Sequence, residues 1–292
     1  TKEGYPINIP SSFHGYKVIE HIDSGSSSIV LLIEDQLTHQ NFSAKVMSKA
    51  DAISINKLES VFNEINVLKS LSHPNIIKYI ESFEIKNEDE EEFIVLITEY
   101  CEKGSLLSYM KNEGIKNEEI KNKIIYDFLK AIQYLHKKGI SHGDIKTENI
   151  LLNTELTAKI CDFGFCRTVI IVGEEYKNGT LHYAAPELFY KGYFNALKSD
   201  IYAIGITLYS IFELEFPYES NSANTIMNQI VKGSLSFRND MNKQLRKLIE
   251  RCTHMNPQLR PDIDDILEDE FLNDFNEKWK IKRNDINGNI LF

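Results

Sequence analysis

The sequence predicts an α+β protein of two lobes, a smaller one rich in strands and a larger one mainly helical. Three observations carry this. β-Branched and aliphatic runs dominate the chain up to Cys101, apolar residues recur at helical spacing after it, and the change of pattern falls near that cysteine. A junction of this kind can hold a ligand. A length of 292 residues suits one large domain or two small ones.

The elements follow in order. Residues 16–22 alternate loosely, 29–33 are β-branched and aliphatic, and 42–47 form a third short run; the turn Asp23-Ser24-Gly25-Ser26 supplies what a hairpin between the first two requires. Val61, Ile65, Leu68 and Leu71 predict a helix, which stops at Ser72-His73-Pro74-Asn75 because proline forces its predecessor out of the helical region. Strands at 76–85 and 93–100 come next, and the acidic run 87–92 between them reads as a solvated hairpin loop. Beyond Cys101, the stripe Ile120, Ile124, Phe128, Ile132 and Leu135 predicts a long amphipathic helix closed by Lys137-Lys138-Gly139. Runs at 150–152 and 158–161 predict a small hairpin, 163–183 a loop, and the remainder to 272 helices punctuated at Phe216-Pro217 and Asn256-Pro257.

Composition narrows the function classes. A hydrophobic fraction of 42% and a charged fraction of 26% exclude global disorder. With 33 Lys and Arg against 43 Asp and Glu, the net charge of −10 argues against nucleic acid as a partner, though a local basic pocket can still bind a phosphate. The longest nearly uncharged run, 201–212, is broken by Tyr202, Gly205, Thr207, Tyr209 and Ser210, so it reads as a buried helix and no membrane span is expected. Cys101, Cys161, Cys166 and Cys252 are too scattered for a disulfide scaffold or a short-spaced zinc site, which points to the reducing cytoplasm. The start, Thr1-Lys2-Glu3-Gly4-Tyr5, has neither a signal-peptide pattern nor an initiator Met, as in a trimmed chain.

The strongest string is His142-Gly143-Asp144-Ile145-Lys146-Thr147-Glu148-Asn149. Asp162-Phe163-Gly164 begins 13 residues beyond Asn149, and Ala185-Pro186-Glu187 begins 23 residues beyond Asp162. Upstream, Lys45 follows Ala44 on the third strand, with Glu64 lying 19 residues on in the first predicted helix. Singly, Lys45 is a strand lysine and Glu64 a surface residue. Together, five motifs in register resemble the protein kinase family from about Tyr16 to Leu272.

That resemblance implies a bilobal α+β kinase fold, with a small antiparallel-sheet lobe carrying one helix (16–101) and a larger helical lobe (102–272). These are flanked by an N-terminal segment (1–15) and a tail (273–292). It implies an enzyme that uses ATP and magnesium to phosphorylate protein substrates, with roles distributed as follows. Lys45 holds the α- and β-phosphates and Glu64 orients it; Asp144 accepts the proton of the attacking hydroxyl; Lys146 neutralises the transferred group. Asn149 and Asp162 are hard oxygen ligands suited to magnesium. Ile22, Asp23, Ser24, Gly25, Ser26, Ser27, Ser28, Ile29 and Val30 stand where the family covers the phosphates. Val30, Ala44 and Leu151 flank adenine, backbone groups of Glu99 and Cys101 bond its edge, Thr98 is the small gatekeeper, and Cys161 lines the same pocket. Thr180 bonds Lys146 and Asp144. Arg260 resembles the partner of Glu187, and Asp200 the anchor of the catalytic-loop backbone. Leu68, Tyr79, His142 and Phe163 match a stack of side chains joining the lobes. Lys146 and the segment Gly179-Thr180-Leu181-His182-Tyr183-Ala184-Ala185-Pro186-Glu187 look like the serine/threonine type, loosely like the calcium/calmodulin-dependent kinase group. A monomer is expected.

Two departures stand out. Only the central glycine of the family's Gly-x-Gly-x-x-Gly remains, at Gly25, and Asp23 brings a carboxylate towards the phosphates. Gly143 replaces the arginine that clamps a phosphorylated activation loop, so Thr168 and Tyr176 are expected to be dispensable as phosphate acceptors for basal activity. Glu148 matches a family position that contacts substrate arginine, while Ser105 and Ser210 occupy two others that are acidic in arginine-directed relatives. Trp279-Lys280-Ile281-Lys282-Arg283 reads as a terminal helix. The competing class is a pseudokinase scaffold, favoured by the poor glycine loop and Gly143 but opposed by Lys45, Glu64, Asp144, Asn149 and Asp162. A small-molecule kinase is disfavoured by the segment from Thr180 to Glu187.

Overall fold

The computed structural model describes residues 9–24, 28–55, 57–168, 170–173, 180–190, 192–218, 220–233 and 235–272, excepting the side chains of 168 and 170–173. Gly25, Ser26, Ser27, Tyr176, Gly179, the start of the N-terminal segment and the tail with Trp279-Lys280-Ile281-Lys282-Arg283 lie outside the described residues. The chain forms two compact units, Thr1–Glu102 and Lys103–Phe292.

The first unit is built on an antiparallel sheet. Its strands are β1 (Ser12–Phe13), β2 (Tyr16–Ser24), β3 (Ser28–Asp35) and β4 (Asn41–Ser48), then, after two helices, β5 (Tyr79–Lys86) and β6 (Glu92–Glu99). Their spatial order is β1-β2-β3-β4-β6-β5. Side chains alternate across a strand. Ile29, Leu31, Ile33, Phe42, Ala44, Val46, Phe93, Val95 and Ile97 therefore form one continuous core on one face. Val30 pairs with Lys45, and Ser43 with Thr98, on the other face.

Helix α1 (Lys49–Ser54) was not legible as a helix in the sequence; Ser48 caps it by accepting from the Asp51 N–H at 3.1 Å. Helix α2 (Leu58–Ser70) buries Val61, Glu64, Ile65 and Leu68. The strand expected at 76–85 starts only at Tyr79. The preceding residues are used by a turn in which Ile76 N donates to His73 O at 3.1 Å and Asn75 N to His73 Nδ1 at the same distance. The acidic run is a hairpin turn: buried Asn87 accepts from the N–H groups of Asp89 and Glu91.

The second unit continues with β7 (Gly104–Ser105), α3 (Leu106–Asn112), α4 (Glu118–Lys137), β8 (Ile140–Ser141), β9 (Ile150–Leu152) and β10 (Ala158–Ile160). The sequence stripe becomes the buried face of α4, with Ile124, Phe128, Ile132 and Leu135 at 0–1% exposure. Asn117 caps this helix through the N–H groups of Glu119 and Ile120, and acidic Glu118 and Glu119 complement the dipole at that end. The stretch 163–183, expected to be a loop, instead contains β11 (Arg167–Thr168), paired with β8, and β12 (Ile170–Gly173), paired with β13 (Gly192–Asn195). Helix α5 (Ala196–Glu213) is buried on nearly all sides, and α6 (Ala223–Lys232), α7 (Lys243–Cys252) and α8 (Ile263–Leu267) complete the described fold. A Cβ on Gly205 of α5 would lie 2.8 Å from Cys252 Cβ and 2.7 Å from Thr253 Cγ2, so glycine sets the closeness of α5 to α7. Among the described residues no helix is long and apolar enough to cross a membrane.

Candidate active site

In the first unit, strand alternation sends Lys45 away from the core shared by Ala44 and Val46, and α2 presents Glu64 to it. Lys45 Nζ donates to both Glu64 oxygens at 2.8 Å. Glu64 is buried and Lys45 a quarter exposed, so the ammonium is fixed yet reachable.

The register corrects one expectation. Ala44 pairs with Leu31 and lies at 0% exposure within the core, on the face opposite Val30, so the two cannot flank one ring. Ile29 also points into that core. Ser43, two residues before Lys45 and opposite Thr98, is the residue that period-two alternation puts on the face of Val30 and Lys45. Ile22 and Asp23 are exposed at the end of β2, and Ser28 starts β3. The Asp23 carboxylate accepts from the Ser24 N–H at 2.8 Å, and Ser24 Oγ contacts His21 Nε2 at 2.7 Å. An amide of the expected phosphate loop is thus already taken by a carboxylate. Thr98 and Glu99 are half-buried and Cys101 is buried; the Glu99 N–H donates to Lys78 O at 3.0 Å.

In the second unit the functional residues occupy the connection between β8 and β9. Asp200, on α5 at 2% exposure, holds its start: Oδ2 accepts from His142 N at 2.8 Å and Oδ1 from Gly143 N at 2.9 Å. His136, at the end of α4, reaches the same Oδ2 through Nε2 at 3.0 Å; nothing in the sequence marked this contact. Gly143 has φ +80°, and a Cβ there would lie 2.4 Å from Phe165 O. Asp144 N donates to His142 Nδ1 at 3.3 Å, so the proton of the imidazole belongs on Nε2, which contacts Cys161 O at 3.0 Å. The His142 ring also meets Phe163 edge to face, with centroids 5.2 Å apart. One side chain thereby links the backbone of Asp144 to the residue preceding Asp162.

Asp144 is 6% exposed. Its Oδ2 accepts from Lys146 Nζ at 2.6 Å and from Asn149 Nδ2 at 3.0 Å. Thr180 Oγ1 accepts from Lys146 at 2.8 Å and donates, more weakly, to Asp144 Oδ1 at 3.4 Å. Asn149 Nδ2 donates also to Asp144 O at 2.8 Å. Because both its neighbours there are acceptors, the amide orientation is determined, and Asn149 Oδ1 is directed away from them.

Asp162 has φ +62°, a left-handed conformation that costs a non-glycine residue about 1–3 kcal/mol. No cluster of three or more His, Cys, Asp or Glu suited to a metal occurs among the described residues. Asn149 and Asp162 supply hard oxygens, which fits magnesium, an ion that takes few protein ligands and completes its shell with phosphate and water. Leu151 lies half-buried on β9.

The segment after Thr180 is secured by Arg260, whose side chain is fully buried. Its guanidinium donates to both Glu187 oxygens at 2.7 Å, to Lys198 O at 2.8 Å and to His254 O at 2.8 Å, and lies over the Tyr202 ring. Sequence reasoning missed Thr147 and Tyr183: both are buried, and both hydroxyls contact Glu148.

A lysine–glutamate pair in a sheet-based unit, with an aspartate held by lysine, asparagine and threonine in a helical one, defines the machinery of a phosphotransferase. The chain belongs to the protein kinase family: the model of the protein kinase domain matches residues 16–272. It is similar to sperm motility kinase 2B of Mus musculus, with 29% identity over 259 residues, covering 88% of this chain and 51% of that protein. It is also similar to serine/threonine-protein kinase SIK1 of Rattus norvegicus, with 28% identity over 253 residues, covering 84% of this chain and 31% of that protein. The chain thus spans about half and about a third of the lengths of these relatives.

Proposed function

We propose that this chain is a magnesium- and ATP-dependent protein kinase that phosphorylates serine and threonine in protein substrates, working as a monomer in the cytoplasm. The carrying observation is the Asp144 carboxylate, buried and oriented by Lys146 and Asn149, with Thr180 on its second oxygen.

In this reading a substrate hydroxyl attacks the γ-phosphorus as the bond to the β,γ-bridging oxygen breaks, and ADP leaves with that electron pair. Asp144 orients the hydroxyl and accepts its proton. Lys146 steadies the charge on the transferred group, and Lys45, held by Glu64, steadies the α- and β-phosphates. Magnesium, held by Asn149 and Asp162, would supply electrostatic stabilisation of the phosphates.

Gly143 leaves no guanidinium to receive a loop phosphate, so basal activity in this reading does not need activation-loop phosphorylation. Phosphorylation of Thr180 inhibits, because it destroys the bonds to Lys146 and Asp144. Glu148 gives a loose preference for a basic residue in the substrate. The similarity to serine/threonine-protein kinase SIK1 favours serine and threonine over tyrosine.

The test is transfer from radiolabelled ATP to a peptide array, with Asp162→Asn and Asp144→Asn proteins in parallel. Transfer to serine or threonine is expected, with Asp144→Asn slower by about 10²–10⁴. Unimpaired transfer by Asp144→Asn sinks the role given to Asp144. A scaffold without activity is the second reading, supported by the Asp23–Ser24 contact. It predicts no transfer and no magnesium-dependent ATP binding.

A further inference from the structure

Among the described residues, Glu148 is hydrogen-bonded on one oxygen only. Thr147 Oγ1 donates to Glu148 Oε2 at 3.0 Å, and Tyr183 OH donates to the same oxygen at 3.2 Å. The two hydroxyls are also 3.2 Å from each other. These three contacts share two hydroxyl protons, and an ionised carboxylate can only accept. Either both hydroxyls donate to Oε2, or one donates to it and the other relays. Oε2 is engaged in both arrangements, and the direct one is favoured because hydrogen bonds to charge are the stronger.

The two donors are themselves fixed. Thr147 is 1% exposed and Tyr183 is 4% exposed. The Tyr183 ring packs edge to face on Phe216 with centroids 5.4 Å apart. Burial, followed by the charge of Glu148, raises the Tyr183 phenol well above its ordinary pKa, so it stays a donor at working pH. Glu148 is half-buried, and its Oε1, by contrast, takes no hydrogen bond among the described residues. Among the described residues, one oxygen is held and the other is left without a bond.

We propose that Thr147 and Tyr183 are specificity-determining positioning residues: by engaging Oε2 they make Glu148 a single-oxygen acceptor that takes lysine and arginine side chains of a protein substrate alike. An ammonium needs one acceptor. The advantage of a guanidinium lies in its paired fork, which needs both carboxylate oxygens. Ser210, a hydroxyl residue that lies against Tyr183, adds no second carboxylate. This inference rests on the reading of Glu148 as a substrate contact.

The experiment compares kcat/KM for three peptides that differ only at the basic position, carrying arginine, lysine or glutamine. For the unaltered protein the arginine-to-lysine ratio is expected within about twofold. In Thr147→Val and Tyr183→Phe, Oε2 is released and the ratio is expected to rise about five- to tenfold, the scale of one added charge-assisted hydrogen bond at a partly exposed position. Thr147→Ser keeps the donor and restores the original ratio. These ratios are independent of the fraction of each variant that folds. A strong arginine preference in the unaltered protein, or a ratio unmoved by both Thr147→Val and Tyr183→Phe, overturns the inference. Glu148→Gln separates the two levels: it should abolish the preference for either basic peptide over glutamine. If that preference survives Glu148→Gln, the underlying reading of Glu148 falls as well.

Discussion

Replacing Gly143 by alanine puts the smallest possible side chain into the tightest point of the catalytic loop. At φ +80° an L-residue carries a penalty of about 1–2 kcal/mol that glycine escapes. The added Cβ, 2.4 Å from Phe165 O, must gain roughly 1 Å to reach ordinary contact. If Phe165 yields, the backbone immediately after Asp162-Phe163-Gly164 moves. If the loop yields, it loosens the bond from Gly143 N to Asp200 Oδ1, a hydrogen bond to charge worth about 1.5–3 kcal/mol. Together the local penalty is about 2.5–5 kcal/mol. Taken wholly out of transition-state alignment it corresponds to a fall of about 10²–10⁴ in kcat/KM. Gly143→Arg should be no better, which makes reinstatement of a phosphate clamp by single substitution unworkable. Steady-state kinetics and calorimetric unfolding of the two variants provide the assay. An alanine variant within threefold of the unaltered kcat/KM, with an unchanged Tm, would refute the close-approach argument.

Arg260→Leu leaves the Glu187 carboxylate with Ser199 Oγ at 2.9 Å as its remaining described side-chain donor, and should destabilise by about 3–5 kcal/mol in thermal or urea unfolding. Adding Glu187→Gln should recover part of that loss, and a loss below about 1 kcal/mol in the single variant contradicts the buried-pair account. Asp23→Ala frees the Ser24 amide and removes a carboxylate from the expected phosphate loop, so KM for ATP should fall about three- to tenfold; a rise would show that the contact organises the loop. Burial pushes the Cys252 thiol up to about 12, so iodoacetamide at pH 8 should leave Cys252 unmodified in folded protein and alkylate it in denaturant. Rapid labelling of the folded form, read by peptide mass spectrometry, would disprove that burial.

The candidate site residues were legible in the sequence because they fall in motifs that resemble those of the protein kinase family. Lys45, Glu64, Asp144, Lys146 and Asn149 fall on elements whose period and punctuation are local, and the stripe on α4 is a direct consequence of helical repeat. Ala44 was misread because adjacency to Lys45 in the chain is opposition across a strand, and only the register with Val30 and Thr98 makes that visible. The pairing of β12 with β13 is non-local, but the β-branched run Thr168-Val169-Ile170-Ile171-Val172 is itself a strand signal that the loop reading passed over. Thr147 and Tyr183 stood within recognised strings, yet convergence of their hydroxyls on Glu148 depends on two turns meeting in space.

The ladder between β12 and β13 is a two-stranded ribbon separate from the larger sheets. Its pairs, from Ile170 with Asn195 to Gly173 with Gly192, join the two ends of an 18-residue stretch of chain. An isolated two-stranded ribbon is marginal in water. Each of these strands has one partner and therefore one unpaired edge among the described residues. Amide hydrogens in this ribbon should exchange with solvent through local opening, long before those of β3 and β4 exchange through global unfolding. Order in the ribbon itself is thus an equilibrium with a small free-energy gap, and any extended peptide that pairs with the open edge of β13 shifts it by mass action.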